Sequence, residues 1–315
     1  MGRTKIQALK DNIAQVIVGK DDVIDLLLTA LFADGNCLID DVPGVGKTKL
    51  ANALARSIGV DFKRIQFTPD LQPADITGIY YYNQKEGDFK FRPGPVFTNI
   101  LLADEINRAV PRTQSSLLEA MEEQQVSIEG TLFELASPFL VIATQNPMEL
   151  EGTFPLPEAQ LDRFLLKIEM GYPTPEEEMT ILQRFKQGDP ITELRPVLDG
   201  PSVLALREEA ANVKISSDLM KYITSLANAT RNHPRIRLGL SPRGSLALMR
   251  ASLAYAYIQG RDYVIPDDIK YLFPFTASHR LILDYDSSYD GTTKEEILEE
   301  ILADTAVPVE DVLHG

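Results

Sequence analysis

The segment Cys37-Leu-Ile-Asp-Asp-Val-Pro-Gly-Val-Gly-Lys-Thr48 is the most informative part of this 315-residue sequence. It begins as a short apolar run typical of a buried strand, and the residues that follow Thr48 have the apolar spacing of a helix. Glycines between the two let successive backbone N–H groups turn toward phosphate oxygens, and a helix start adds its positive dipole end. The order of strand, glycine-rich loop and helix therefore predicts a phosphate-binding loop.

Two side chains of this loop have expected roles in binding ATP. We expect Lys47 to reach the β- and γ-phosphates and the hydroxyl of Thr48 to ligate Mg²⁺. The other residues expected around the phosphates are Pro43, Gly44, Val45, Gly46 and Lys49. Asp41 stands where the usual pattern has a glycine. We expect the Asp41 side chain to lie at the strand end and to face away from the phosphates.

Outward from this loop, apolar segments predict further buried strands at residues 62–66, 100–104, 139–144 and 164–168. Helical segments lie between them, which predicts an α/β fold with a five-stranded parallel sheet covered on both faces. Short β-favouring runs around glycine-bearing turns predict β-hairpins at residues 78–91 and 126–135. Residues 4–17 and 21–33 are predicted to form N-terminal helices.

The pattern changes after residue 175, where helical segments follow one another without a convincing strand. We therefore predict two domains. The first is an α/β core with its N-terminal helices at residues 1–190, and the second is a helical domain at residues 191–315.

Two carboxylates follow the apolar strand at residues 100–104, in the order Asp104, Glu105. The carboxyl end of a parallel strand is where α/β proteins bind ligands. We expect Asp104 to hold Mg²⁺ and Glu105 to orient and deprotonate the attacking water. A strand that simply reaches solvent is the alternative, but the pair lies in the same predicted sheet as Lys47.

Three further polar residues are candidates for contacts with the γ-phosphate. Asn146 ends another buried strand, and an asparagine in a turn before proline is the more ordinary explanation of this residue taken alone. Arg163 precedes the last predicted strand, and Arg243 starts a helix in the second domain. An arginine near the γ-phosphate would stabilise charge in the transition state, and a structural ion pair is the alternative for each.

These segments together resemble the AAA+ superfamily and, within it, the MoxR branch, over nearly the whole chain. The most specific stretches are residues 41–48, 102–109, 143–147 and 155–164. The resemblance implies an AAA+ P-loop core with β-hairpin inserts, followed by a helical lid. It implies that Lys47 and Thr48 are Walker A residues, that Asp104 and Glu105 are Walker B residues, and that Asn146 is sensor 1. Arg163 would be the finger that reaches the ATP of a neighbouring subunit, and Arg243 would be sensor 2, which contacts the nucleotide. Gly19 and Lys20 would flank the adenine.

The resemblance also implies assembly into a ring, with a hexamer as the expected state. Proteins of this kind are thought to be chaperones that remodel or activate other proteins. Their partners often carry von Willebrand factor A domains, so a client or cofactor protein with such a domain is one expectation.

The composition indicates which kinds of partner the protein can bind and in which compartment it functions. The net charge of −15 disfavours broad nucleic-acid binding. A single cysteine, Cys37, fits a reducing compartment, and no apolar stretch is long enough to span a bilayer. We therefore predict a cytoplasmic protein without membrane insertion.

Two other functions remain open from the residues alone. A nucleic-acid-remodelling ATPase of the same hairpin-bearing clade would need basic hairpins. The first hairpin offers Lys85, Lys90 and Arg92 against Glu86 and Asp88, and the second has no basic residue. A nucleotide switch that does not hydrolyse ATP would lack the base or the finger, whereas Glu105 and Arg163 are both present.

Overall fold

The computed structural model describes residues 2–146, 152–284 and 291–308. Its strands are β1 (Cys37–Asp40), β2 (Phe62–Gln66), β3 (Gly78–Asn83), β4 (Asp88–Pro93), β5 (Ile100–Asp104), β6 (Gln125–Ile128), β7 (Thr131–Glu134), β8 (Leu140–Gln145), β9 (Leu166–Ile168), β10 (Ile236–Leu238) and β11 (Ile282–Leu283). Its helices are α1 (Gly2–Ala14), α2 (Asp21–Phe32), α3 (Lys47–Ser57), α4 (Pro73–Thr77), α5 (Pro111–Glu123), α6 (Glu158–Leu161), α7 (Pro175–Gln187), α8 (Gly200–Ala211), α9 (Ser217–Asn232), α10 (Pro242–Ile258), α11 (Pro266–Ala277) and α12 (Lys294–Asp304).

A parallel sheet of five strands forms the centre of the first half, in the order β2-β5-β8-β1-β9. All residues of β5 are buried, because helices and hairpins cover both faces of the sheet. The predicted five-stranded parallel sheet is confirmed. All five carboxyl ends meet at one edge, where β1 leads into the glycine-rich loop.

Both predicted hairpins are present, as β3–β4 and β6–β7. They pack against each other through aromatic rings, since Phe91 of β4 stacks on Phe133 of β7 with ring centroids 4.6 Å apart. Phe97 meets both rings edge-on. The hairpins therefore form one unit on the side of the sheet that α5 covers.

The second half is helical, but the prediction that it contains no strand is wrong. Strands β10 and β11 pair antiparallel and hold the segment before α10 against the segment after α11. Each strand has only two or three residues, too few to show an alternating pattern in the sequence. Tertiary pairing of their backbone groups stabilises them instead.

Packing does not separate the two halves at residue 190. One apolar core runs from the N-terminal helices and the sheet into α8, α10 and α11. Leu27 of α2 and Leu248 of α10, for example, are both fully buried in it. The division at residue 190 thus stays a prediction. Within the residues described, no helix has both the length and the apolarity needed to cross a bilayer.

Candidate active site

The glycine-rich loop joins β1 to α3 at the carboxyl edge of the sheet. Gly44 and Gly46 have φ values of 90° and 100°, a region that other residues rarely adopt. A Cβ atom built on either glycine would meet no heavy atom within 4 Å. These glycines are therefore required by backbone conformation, and the space beside them is an open cradle that fits a phosphate group.

The two lysines of the loop point in different directions. The Lys47 ammonium group donates a hydrogen bond to the carbonyl oxygen of Asp41 at 2.8 Å, across the mouth of the loop. Lys49 pairs with Asp189 and lies 5.1 Å from the ring centroid of Phe185 on α7. Lys47 is thus positioned for phosphate, whereas Lys49 can offer a ligand only its backbone N–H.

Asp41, the residue in place of the usual glycine, anchors the loop. Its buried carboxylate accepts hydrogen bonds from the backbone N–H groups of Val42, Met170 and Gly171 at 2.7–2.8 Å. Met170 and Gly171 lie just after β9. The side chain therefore faces away from the cradle, as expected, and fixes the loop to the segment that leaves the sheet.

Replacement of Asp41 by glycine restores the usual motif, and we expect it to destabilise the protein. Asp41→Gly removes a buried acceptor and leaves three backbone donors without a partner. Hydrogen bonds to a charged group contribute about 1.5–3 kcal/mol each, so we expect the free energy of unfolding to fall by about 3 kcal/mol or more. Urea denaturation measures it, and a variant as stable as the parent protein would contradict this role of Asp41.

Asp104 and Glu105, the acidic pair, lie at the end of β5. The neighbouring strand β8 separates β5 from β1, which leads into the glycine-rich loop. Thr144 of β8 donates to one oxygen of Asp104 at 2.6 Å, and the Arg64 guanidinium of β2 donates to the other at 3.1 Å. Sequence reasoning missed Arg64. Its partner lies forty positions away, and only the pairing of β2 with β5 brings them together.

Glu105 has a left-handed backbone conformation with φ of 56°, which is uncommon for a residue with a side chain. Its Oε2 atom accepts hydrogen bonds from the Gln66 amide at 2.7 Å and from Arg108 at 2.9 Å. Both donors bind the same oxygen, so they fix the orientation of the carboxylate. Gln66 and Arg108 therefore hold Glu105 in place, and sequence reasoning had named neither.

The donor set fits Mg²⁺ together with a nucleotide. Magnesium usually takes one or two carboxylates and completes its shell with phosphates and water. Asp104 supplies one carboxylate and Thr48 a hydroxyl, and within the described ranges no group of three or more His, Cys, Asp or Glu side chains forms a metal cage. Asn146 is buried at the end of β8, on the same edge of the sheet. Pro147, the end of that motif, lies outside the described residues.

Gly19 and Lys20 lie beside this edge too. The Lys20 ammonium donates to the carbonyl oxygen of Tyr172, which follows β9, at 3.0 Å. Gly19 has φ of 68° and lies against Glu177 at the start of α7. The two residues predicted to flank the adenine are thus placed next to the phosphate loop.

The two candidate arginines lie together elsewhere. Arg163 binds one carboxylate oxygen of Glu122 at 3.2 Å, and the Arg243 guanidinium binds the other. Glu122 is at the end of α5, a position that the sequence analysis had not singled out. A cavity of about 390 Å³ borders all three side chains.

This arginine pair belongs to the opposite edge of the sheet. Leu165, two residues after Arg163, donates its N–H to the carbonyl of Asn36, just before β1. The phosphate loop starts at Asp41, five residues of extended chain further on, or about 16 Å. An arginine side chain cannot span that distance. The structure therefore does not bring Arg243 to the loop of its own chain, where the expected sensor 2 contact would lie.

Asp162 forms hydrogen bonds that keep Arg163 and Arg243 close together. One oxygen accepts from the buried Arg280 guanidinium at 2.7 Å, and the other accepts from the Ser241 hydroxyl at 2.9 Å. Ser241 caps the N-terminus of α10, which carries Arg243 in its first turn. Asp162 thus joins the segment of Arg163 to the helix of Arg243.

Comparisons with known proteins show the family and the fold of the chain. A family model described as ATPase family associated with various cellular activities (AAA) matches residues 36–166, and one described as AAA lid domain matches residues 228–301. The Bacillus subtilis protein YeaC is 53% identical over 300 residues, which are 95% of this chain and 94% of that protein. Chaperone MoxR1 of Mycobacterium tuberculosis is 44% identical over 305 residues, covering 94% of this chain and 80% of that protein. A crystal structure from Cytophaga hutchinsonii has a TM-score of 0.92 at 41% identity, covering 98% of this chain and 96% of that chain.

Proposed function

The chain belongs to the MoxR family of AAA+ ATPases, and from that membership we propose that it hydrolyses Mg²⁺-bound ATP at sites shared between subunits to remodel or activate a client protein. One observation carries the shared site. The phosphate loop and the acidic pair lie at the carboxyl edge of the sheet, whereas Arg163 and Arg243 lie at the opposite edge.

Within one subunit, the loop holds the triphosphate. Backbone N–H groups of residues 43–49 and the Lys47 ammonium bind the phosphate oxygens, and Gly19 and Lys20 flank the adenine. Asp104 and Thr48 would hold Mg²⁺, which neutralises phosphate charge when bound. Asn146 lies at the same edge and fits a contact with the γ-phosphate or the attacking water.

Glu105 performs the proton transfer in this proposal. The water oxygen attacks the γ-phosphorus, the bond to the β–γ bridging oxygen breaks, and the water proton passes to the Glu105 carboxylate. The hydrogen bonds from Gln66 and Arg108 both go to Oε2, so Oε1 of the same carboxylate can accept the proton while the two donors hold the side chain in place.

The neighbouring subunit supplies Arg163 and Arg243. Because Asp162 joins their two segments, the pair is delivered as one unit to the γ-phosphate, where its charge stabilises the transition state. A head-to-tail contact of this kind closes into a ring, and we propose a hexamer. ATP-driven movement of the ring would act on a cytoplasmic client, with a von Willebrand factor A protein as one candidate.

Nucleic-acid remodelling has less support. Of the three basic residues on the first hairpin, Lys90 pairs with Glu86, so its charge is already balanced within the hairpin. The aromatic contacts between the hairpins occupy Phe91 and Phe133, whereas Tyr81, Tyr82 and Phe89 are exposed, and the rings of Tyr82 and Phe89 pair edge-on. An exposed aromatic pair with little net charge suits a polypeptide better than a phosphate backbone.

The shared site makes hydrolysis depend on protein concentration. A single subunit lacks the arginines at its own phosphate loop, so we expect the turnover per subunit to rise as the protein assembles. ATPase assays with Mg²⁺ over a dilution series, alongside light scattering for mass, measure both quantities. Full turnover from a protein that stays monomeric would contradict the shared site.

A further inference from the structure

Helix α7 has an apolar side that faces solvent. Met179, Leu182 and Phe185 follow one another at three-residue spacing, with exposed fractions of 58%, 63% and 41%. We call these three side chains the α7 face. None of the α7 side chains that the structure describes is buried. A surface helix of a globular protein normally buries such a stripe.

Polar contacts hold α7 in place while this face stays exposed. Thr174 and Glu177 form a capping box at its start. Arg184 donates to the carbonyls of Ala14 and Gln15 at 2.6–2.7 Å, where α1 ends. Isolated helices of this length are marginally stable in water and depend on packing of an apolar face. In one subunit α7 lacks that packing, so its face is suited to a partner.

The position of α7 in the fold indicates which molecule would cover its apolar face. Lys49, in the first turn after the phosphate loop, pairs with Asp189 beyond the end of α7 and lies over Phe185. Lys20 binds the carbonyl of Tyr172 just before α7. The α7 face thus borders the nucleotide end of the sheet, the place to which a second copy must bring Arg163 and Arg243.

The edge of the sheet at which Arg163 and Arg243 lie is complementary to α7 in charge and in apolar surface. Leu246 lies one turn after Arg243 on α10 and is 57% exposed beside it. The first turn of α7 carries three consecutive acidic residues, Glu176, Glu177 and Glu178. Across the proposed shared site, the apolar stripe with the exposed Glu176 and Glu178 would face Leu246 and the two arginines, which share the single carboxylate of Glu122 and so keep a net positive charge.

We infer that the α7 face is a docking surface for a second copy of this chain, and that it receives the α10 surface around Leu246 and Arg243. The inference rests on the proposed function, because only the shared site requires the two edges to meet. Apolar burial would stabilise the contact, and the charges would set its orientation. A client polypeptide on this face is the competing outcome.

Leu182→Glu tests the docking surface, with Gln183→Glu as the matched control. Both positions are exposed on the same helix and gain the same charge, but only Leu182 belongs to the α7 face. We expect Leu182→Glu to bind ATP as the parent protein does, to remain smaller by light scattering with ATP present, and to lose turnover by about ten-fold or more. Gln183→Glu is expected to assemble and hydrolyse normally. The milder Met179→Gln should shift assembly in the same direction.

Mixing distinguishes the two proposals. Leu182→Glu retains its arginines, and Arg163→Ala retains its α7 face. In an equal mixture of these two weakly active proteins, about one contact in four would join the arginines of the first to the α7 face of the second, so turnover should recover at that fraction of sites. If Arg163→Ala loses turnover but Leu182→Glu assembles and hydrolyses like Gln183→Glu, the docking surface is overturned and the proposed function stands. Loss of client activation with normal assembly would assign the face to a client, and it also overturns the inference. If Arg163→Ala keeps full turnover, the shared site itself fails.

Discussion

Glu105→Gln is expected to lower ATP turnover by about a hundred-fold or more while leaving ATP binding unchanged. Glutamine has nearly the same shape and can still accept the hydrogen bonds that Gln66 and Arg108 donate. It cannot take a proton from the attacking water, and loss of a general base typically costs 10²–10⁴-fold. Phosphate release measures turnover, and a fluorescent nucleotide measures binding.

Glu119→Gln is the control for this substitution, since Glu119 is an exposed residue of α5 and belongs neither to the phosphate loop nor to the acidic pair. It should leave both quantities unchanged. Turnover by Glu105→Gln within about three-fold of the parent rate would remove Glu105 from the proposed role. The same variant, saturated with ATP, should retain a client through affinity purification, which gives a direct way to identify one.

Arg163→Ala and Arg243→Ala are each expected to lower turnover by about a hundred-fold or more. An arginine that reaches the γ-phosphate from a neighbouring subunit contributes 10³–10⁵-fold in related phosphoryl-transfer enzymes, and the other arginine of the pair compensates in part. ATP affinity of the isolated subunit should not change, because neither residue reaches its own loop.

Arg3→Ala, at an exposed position on α1, controls for the loss of a positive charge. Thermal unfolding of each variant checks that the lid remains docked, since Asp162 and Arg280 are untouched. If either arginine variant bound ATP more weakly as a monomer, that arginine would act within its own subunit. Such a result is incompatible with the separation of the two edges.

The sequence predicts those parts of the fold and of the site whose signals are local. The strand, loop and helix around Lys47 are contiguous, and Asp104 and Glu105 end an apolar run, so residue order alone places them at one edge of a parallel sheet. The anchoring role of Asp41 was visible only as a departure from a pattern. Its partners, Met170 and Gly171, lie 129 and 130 positions away.

What the sequence misses depends on contacts between distant elements. Arg64 and Gln66 reach the acidic pair because β2 lies beside β5, and Glu122 meets the arginines because α5 ends near β9 and α10. The docking of α10 through Asp162 also determines which edge Arg243 occupies. No motif encodes that placement, so the order of residues does not show on which edge of the sheet Arg243 lies.

Mixing Glu105→Gln with Arg163→Ala tests the shared active site most directly. One protein lacks the base but retains its arginines, and the other retains a complete phosphate loop and base but lacks the finger. Each alone should be nearly inactive, and an equal mixture should regain turnover at about one site in four, because that fraction of contacts combines the intact halves. A mixture as inactive as its components, under conditions where both assemble, would contradict an active site built from two subunits.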